Sequence, residues 1–169
     1  LVAPNSFYAH RSNLLVSGGQ YGDHLSAIVS DKDLAASAEQ NVAIMDGVGT
    51  DLQLLSPRPF LMVNGTARWH DIVDWTVDSN QLIARTVKMH PGRFRGVGAL
   101  PQQAGRDVTS LFDEIDRVVN DLGFVGVLLN PDPSEGMNAS PPLGDPYWYP
   151  LYEKLCELDL PAQFLVKGI

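Results

Sequence analysis

The sequence predicts an α/β fold in which parallel strands alternate with helices. Three observations carry that expectation. Gly126-Val127-Leu128-Leu129 is an uninterrupted apolar run closed by Asn130-Pro131-Asp132-Pro133, as a strand buried on both faces of a parallel sheet would read. Val108, Leu111, Phe112, Ile115, Val118, Val119 and Leu122 recur at helical spacing and form one apolar stripe. Strand-like and helix-like segments also take turns along the chain, which implies right-handed crossovers within one sheet. That pattern fits part of a (β/α)8 barrel and an open doubly wound sheet alike.

Residues 1–30 lack periodicity and carry Gly18, Gly19 and Gly22, so they read as an irregular loop or insertion before a single domain over 31–169. Ser30 is a suitable N-cap for a first helix, with Asp31 and Asp33 in the turn where the helix dipole favours negative charge. Leu34, Ala38, Val42 and Met45 give that helix its inner face, and Gly47 or Gly49 ends it. A short strand, 51–55, comes next. A second helix occupies much of 67–90, with Ile72, Val73, Ile83 and Val87 inward, and Pro91-Gly92 stops it. Phe94 to Leu100 is the next strand, its glycines allowing close packing against a helix. The third helix spans 107–122, with Asp113, Glu114, Asp116 and Arg117 mostly opposite the apolar stripe and Gly123 at C′. Strand 124–129, helix 151–158 and strand 162–166 complete the order.

Composition narrows the class. With 169 residues, 44% apolar and 19% charged, the chain suits one globular domain with a real core. No apolar run approaches the roughly 20 residues that cross a bilayer. A single cysteine, Cys156, excludes an internal disulfide and fits a reducing, cytoplasmic compartment. Beside Leu155 in a predicted helix, it reads as a small core residue rather than a nucleophile. A net charge of −8 without a basic run argues against nucleic acid, but not against an anionic small molecule. The chain begins at Leu1 with no signal pattern and closes on an apolar strand at Ile169. It therefore reads as an internal piece of something longer, with open strand edges that favour a homo-oligomer.

Chemistry in such sheets sits on loops at the C-terminal ends of strands. After the first strand comes Ser56-Pro57-Arg58-Pro59. An arginine between two prolines stands on a stiff backbone, so little order is lost when its planar fork meets a carboxylate. The alternative is a surface arginine in a proline turn. Pro101-Gln102-Gln103 turns the chain more readily than it offers amides to a ligand. Asn130 either orients a substrate oxygen or caps its turn, the turn being favoured, and Asp132 reads as a turn residue before a metal ligand. His10, His24, His70 and His90 form neither His-x-His nor HExxH, so each is structural or solvated. Tyr147-Trp148-Tyr149 packs over the following helix or lines a cleft. GGQYG, residues 18–22, matches no phosphate-binding motif, and no GxSxG elbow is present.

Two stretches resemble a known family. Asp46-Gly47-Val48-Gly49-Thr50-Asp51-Leu52-Gln53-Leu54-Leu55-Ser56-Pro57-Arg58-Pro59 is similar to the second-strand region of the amidohydrolase-related, metal-dependent group, which includes aminocarboxymuconate-semialdehyde and γ-resorcylate decarboxylases. Residues 91–101, PGRFRGVGALP, resemble that group's third strand. LLNPDP, 128–133, followed by PPLGDPYWYPLYEKLCELDLPA, 141–162, most resembles its 4-oxalomesaconate hydratase branch. The resemblance covers residues 31–163. It implies a TIM-type (β/α)8 barrel and a zinc-dependent lyase that adds water to a C=C bond of a polycarboxylate in aromatic-acid catabolism. A decarboxylase or hydrolase of the same family, or a metal-free interaction module, are the alternatives. By the same resemblance Arg58 pairs a substrate carboxylate and the Asn130 turn lines the pocket. The family's His-x-His strand would precede Leu1, its late acidic ligand would come after Ile169, and Gln163-Phe164-Leu165-Val166-Lys167 stands where a further histidine is expected. No residue of this chain is therefore assigned to metal, and none to a catalytic role.

Overall fold

The computed structural model describes residues 3–9, 12, 29–58, 64–65 and 68–164. GGQYG, His10, His24, Pro59, Ala67 and the tail from Leu165 lie outside these residues. The elements are α1 (Asp31–Val48), β1 (Gln53–Leu55), α2 (Trp69–Met89), β2 (Phe94–Gly96), β3 (Gly98–Ala99), a 3-10 turn (Val108–Leu111) leading into α3 (Phe112–Asn120), β4 (Val127–Leu129), a 3-10 turn (Pro146–Trp148) leading into α4 (Tyr149–Glu157), and β5 (Ala162–Phe164). Residues 5–9 are helical rather than irregular. Phe7 there is buried with its ring 4.6 Å from that of Trp75.

Every strand pairing is parallel: β1 with β2, β3 with β4, and β4 with β5. The predicted strand 94–100 is interrupted at Val97, yet continuous in effect. Val97 N–H donates to the Leu55 carbonyl at 2.8 Å on one side, and Gly98 N–H to the Gly126 carbonyl at 3.0 Å on the other. The interruption falls where the strand changes partner from β1 to β4. A Cβ on Gly96 would lie 2.3 Å from Cδ1 of Phe124, and one on Gly98 would lie 2.9 Å from Cγ1 of Val118. The absent side chains let α3 and the segment after it sit directly on the strand.

Local signals set the helix ends. Ser30 Oγ accepts from Asp33 N–H at 3.1 Å, and Gly49 closes α1 with φ +71°. Gly123, at φ +65°, turns the chain after α3. Helix faces obey the helical period: Ile115, Val118, Leu151 and Leu155 are buried, so Cys156, about 100° further round α4, is turned to solvent. It is exposed, not a core residue. Arg93 of the family-like motif binds the Thr50 and Asp51 carbonyls, each at 2.9 Å, and pairs with Asp46 at 2.7 Å. It ties the connection entering β1 at the end opposite the loops that concern function.

Glu114 departs from the expected polar face of α3. It is 7% exposed, and its carboxylate takes a 2.6 Å bond from Nδ2 of Asn80 and both arms of Arg117 at 2.7 Å. Pairing removes the cost of an isolated buried charge, and the bond with Glu114 raises the pKa of Arg117 further. Among the described helices none is long and apolar enough to cross a membrane.

Candidate active-site rim

Because β1 to β5 run parallel, their C-terminal ends lie along one edge of the sheet. Arg58 comes after β1, Gln102 after β3 and Asn130 after β4. Strand spacing of about 4.8 Å puts the β1 and β4 ends roughly 10 Å apart. Pro57 is buried while Arg58 is exposed. Among the described residues the Arg58 guanidinium makes no hydrogen bond or ion pair, so its five donors remain open to an anion.

Asn130 performs the turn-capping role that its sequence context favours. Its Oδ1 accepts from Asp132 N–H at 3.1 Å, capping the turn. Its Nδ2 makes no hydrogen bond to the described residues, which leaves an amide donor at the rim. The backbone of Asn130 is held by Gln102, whose Oε1 accepts its N–H at 2.7 Å and whose Nε2 donates to its carbonyl at 3.0 Å. Gln102 thus spends its amide inside the protein rather than on a ligand.

Asp132 organises the remainder of the loop. Its carboxylate accepts from the hydroxyl and the N–H of Ser134, the latter at 3.0 Å, and from Gly136 N–H at 2.6 Å. The loop takes φ +53° at Glu135, +91° at Gly136 and +53° at Asn138, a winding that these bonds compensate. The Ser134 hydroxyl bond chiefly, then the Gly136 and Ser134 amides, hold the Asp132 carboxyl below its ordinary value of 3.8, against the opposing effect of burial. A folded pKa below the unfolded one contributes stability that is fully present above the unfolded value and lost as pH falls through the folded value. We therefore expect the Gly136 amide chemical shift to titrate below pH 3.8. In Asp132→Ala the loop should lose that titration and its protection.

A shallow depression opens between the loops after β3 and β4, lined by Gln102, Gln103, Arg106, Pro133, Tyr147 and Trp148 among others. The Arg106 guanidinium lies 4.0 Å from the centre of the Trp69 ring, a cation–π contact. The Tyr147 hydroxyl donates to the Arg106 carbonyl, and burial raises the Tyr147 pKa. Trp148 is buried and donates to the Pro141 carbonyl at 3.0 Å. The aromatic run therefore joins the two rim loops as well as packing over α4.

Asn80 is a residue that the sequence pattern did not single out. It is fully buried, its Oδ1 accepting from Ala99 N–H and its Nδ2 donating to the Ala99 carbonyl, both at 2.9 Å. The signal was present, because asparagine disfavours helix interiors and this one falls in phase with Ile72, Thr76 and Ile83.

No group of three His, Cys, Asp or Glu side chains among the described residues is placed to hold a metal. His70 Nε2 instead lies 3.1 Å from Asp71 Oδ1, and the His90 ring meets Phe94 edge-on at 5.9 Å. The described residues do not fit a metal site.

Comparison with known proteins gives a consistent result. The amidohydrolase family profile matches residues 9–167. A 2-keto-4-carboxy-3-hexenedioate hydratase of Sphingobium sp. (strain SYK-6) is 42% identical over 141 residues, covering 83% of this chain and 41% of that protein. The crystal structure of 4-oxalomesaconate hydratase from Rhodopseudomonas palustris superposes with a TM-score of 0.86 at 34% identity, over 98% of this chain and 49% of that one. A dihydroxybenzoic acid decarboxylase from Polaromonas sp. JS666, with bound manganese and the inhibitor 2-nitroresorcinol, gives 0.65 at 26% identity over 86% of this chain and 45% of that one. The chain spans about half the length of the relatives it matches. These neighbours resolve the choice of architecture: the strand–helix units are part of a TIM-type barrel, not an open doubly wound sheet.

Proposed function

The chain belongs to the amidohydrolase family, and from that premise we propose that the protein is a hydro-lyase that adds water across a C=C bond of a polycarboxylate of the 4-oxalomesaconate type, in the breakdown of aromatic acids. The observation that carries this reading is the 42% identity to a hydratase, supported by the 0.86 superposition on a second hydratase.

In this reading the rim supplies recognition. The open guanidinium of Arg58 takes one carboxylate of the substrate in a two-pronged pair, and Nδ2 of Asn130 donates to a second oxygen. The stiff turn beginning at Pro57 and the cap on Asp132 N–H hold both donors before substrate arrives, which lowers the ordering cost of binding. A divalent metal, zinc by the family resemblance and manganese in the decarboxylase relative, belongs to the same reading, although no cluster of described His, Cys, Asp or Glu side chains is placed to hold it. A cytoplasmic location and a homo-oligomeric state extend it. The exposed apolar side chains Ile44, Val48, Leu52 and Leu54 are ones that a subunit contact would cover.

The test is turnover of 4-oxalomesaconate by the protein as its gene encodes it. Arg58→Ala is expected to lower kcat/KM by about 10- to 100-fold, the value of a charged hydrogen bond. Unchanged kinetics would remove Arg58 from the site. Likeness to the Polaromonas decarboxylase favours a second reading, decarboxylation of an aromatic acid. Product analysis separates the two, because hydration releases no carbon dioxide.

A further inference from the structure

Gln102 is 3% exposed, yet both ends of its amide are bonded to a single residue on a neighbouring strand end. Ladder geometry explains why. Gly126 already bonds towards β3 through its carbonyl, and alternate residues of a strand face the same neighbour. Asn130, four residues on, thus turns its N–H and carbonyl to the same side. The β3 chain has left that side by then: the Leu100 carbonyl instead accepts from Gln102 N–H at 2.9 Å. The side chain of Gln102 stands in for the missing strand residue, an acceptor at 2.7 Å and a donor at 3.0 Å.

We infer that Gln102 is a positioning residue, whose amide fixes the Asn130 backbone so that Nδ2 of Asn130 is held ready for a substrate carboxylate or carbonyl oxygen. The inference rests on the reading of Asn130 as a substrate donor. It distinguishes two residues of the depression that look alike in sequence: Gln102 holds the backbone of Asn130, whereas Gln103 accepts from Nε of Arg106 at 3.3 Å.

The experiment compares Gln102→Met, Gln102→Glu, Asn130→Ala and the Gln102→Met/Asn130→Ala double variant, with KM and kcat for the polycarboxylate measured from pH 4 to 8. Gln102→Met should raise KM about tenfold, with kcat changed less than about twofold. The double variant should be no worse than the weaker single, because both changes remove one interaction. Gln102→Glu reports even if Gln102→Met fails to fold. A neutral carboxyl offers one donor and one acceptor, as the amide does, while an ionised one offers acceptors only. Its KM should therefore approach that of the parent at acid pH and rise as the glutamate ionises, a profile absent from the parent. Additive effects, or a Gln102→Glu profile parallel to the parent's, overturn the inference. If Asn130→Ala raises KM and Gln102→Met does not, this inference alone falls. If Asn130→Ala leaves KM unchanged, or the parent does not turn over the polycarboxylate, the reading of the site falls with it.

Discussion

Replacing Asn80 with leucine is expected to lower the unfolding free energy by about 3–5 kcal/mol, more than any other single change considered. The branched shape and the heavy-atom count are kept, so the loss is chiefly polar, with some crowding because methyl groups need more room than an amide held at 2.6–2.9 Å. β1 ends at Leu55, where its carbonyl takes Val97 N–H, and Pro57 cannot extend the ladder because it lacks an N–H. Ala99, two residues beyond Val97, presents its N–H and carbonyl to that same vacated side. Asn80 satisfies both and reaches Glu114 as well. Leucine would leave two backbone groups buried without partners and Glu114 with Arg117 alone, at about 1–3 kcal/mol for each orphaned group. Chemical denaturation checks this: a midpoint within experimental scatter of the parent would show that solvent or a neighbour replaces the amide. Asn80→Asp should be intermediate, since it keeps an acceptor for Ala99 N–H but sets a charge against the Ala99 carbonyl and Glu114.

The second large effect is expected at Gly96. Alanine would bring its Cβ to 2.3 Å from Cδ1 and 2.4 Å from Cε1 of Phe124, far inside van der Waals contact. Phe124 is itself buried and its backbone N–H donates to the Val118 carbonyl at 2.9 Å, so it cannot simply swing away. Overpacking of this kind costs about 3 kcal/mol at the upper end of its usual range, roughly 6–12 °C in Tm for a domain of this size. The specific check is rescue. Phe124→Leu should recover part of the loss in the Gly96→Ala background while being destabilising alone; a strictly additive pair would mean that the clash is not the cause.

Much of the fold was legible in the chain because its determinants are local. The cap at Ser30, the terminator at Gly49 and the stripe from Val108 to Leu122 each depend on residues a few positions apart. The candidate site was legible only as loops. Arg58 and Asn130 stand out because proline-rich turns mark the ends of their strands, but the division of labour within Asn130, with Oδ1 capping and Nδ2 left over, depends on where Asp132 N–H falls. Glu114 is expected mostly opposite the apolar stripe and is buried all the same, because helical phase reports which side a residue occupies, not what waits there. Cys156 was misread for the opposite reason: adjacency to Leu155 was given more weight than the turn of the helix.

By itself, then, the sequence determined the alternation of parallel strands and helices and the likeness to a family of metal-dependent enzymes, since period, caps and motif residues are all written along the chain. Only the tertiary structure decided that two side-chain amides, Asn80 and Gln102, complete strand ladders that end early. Each joins residues far apart in sequence, 19 positions for Asn80 and Ala99 and 28 for Gln102 and Asn130. No local pattern encodes such a pairing; it exists only once parallel crossovers have brought the strand ends side by side.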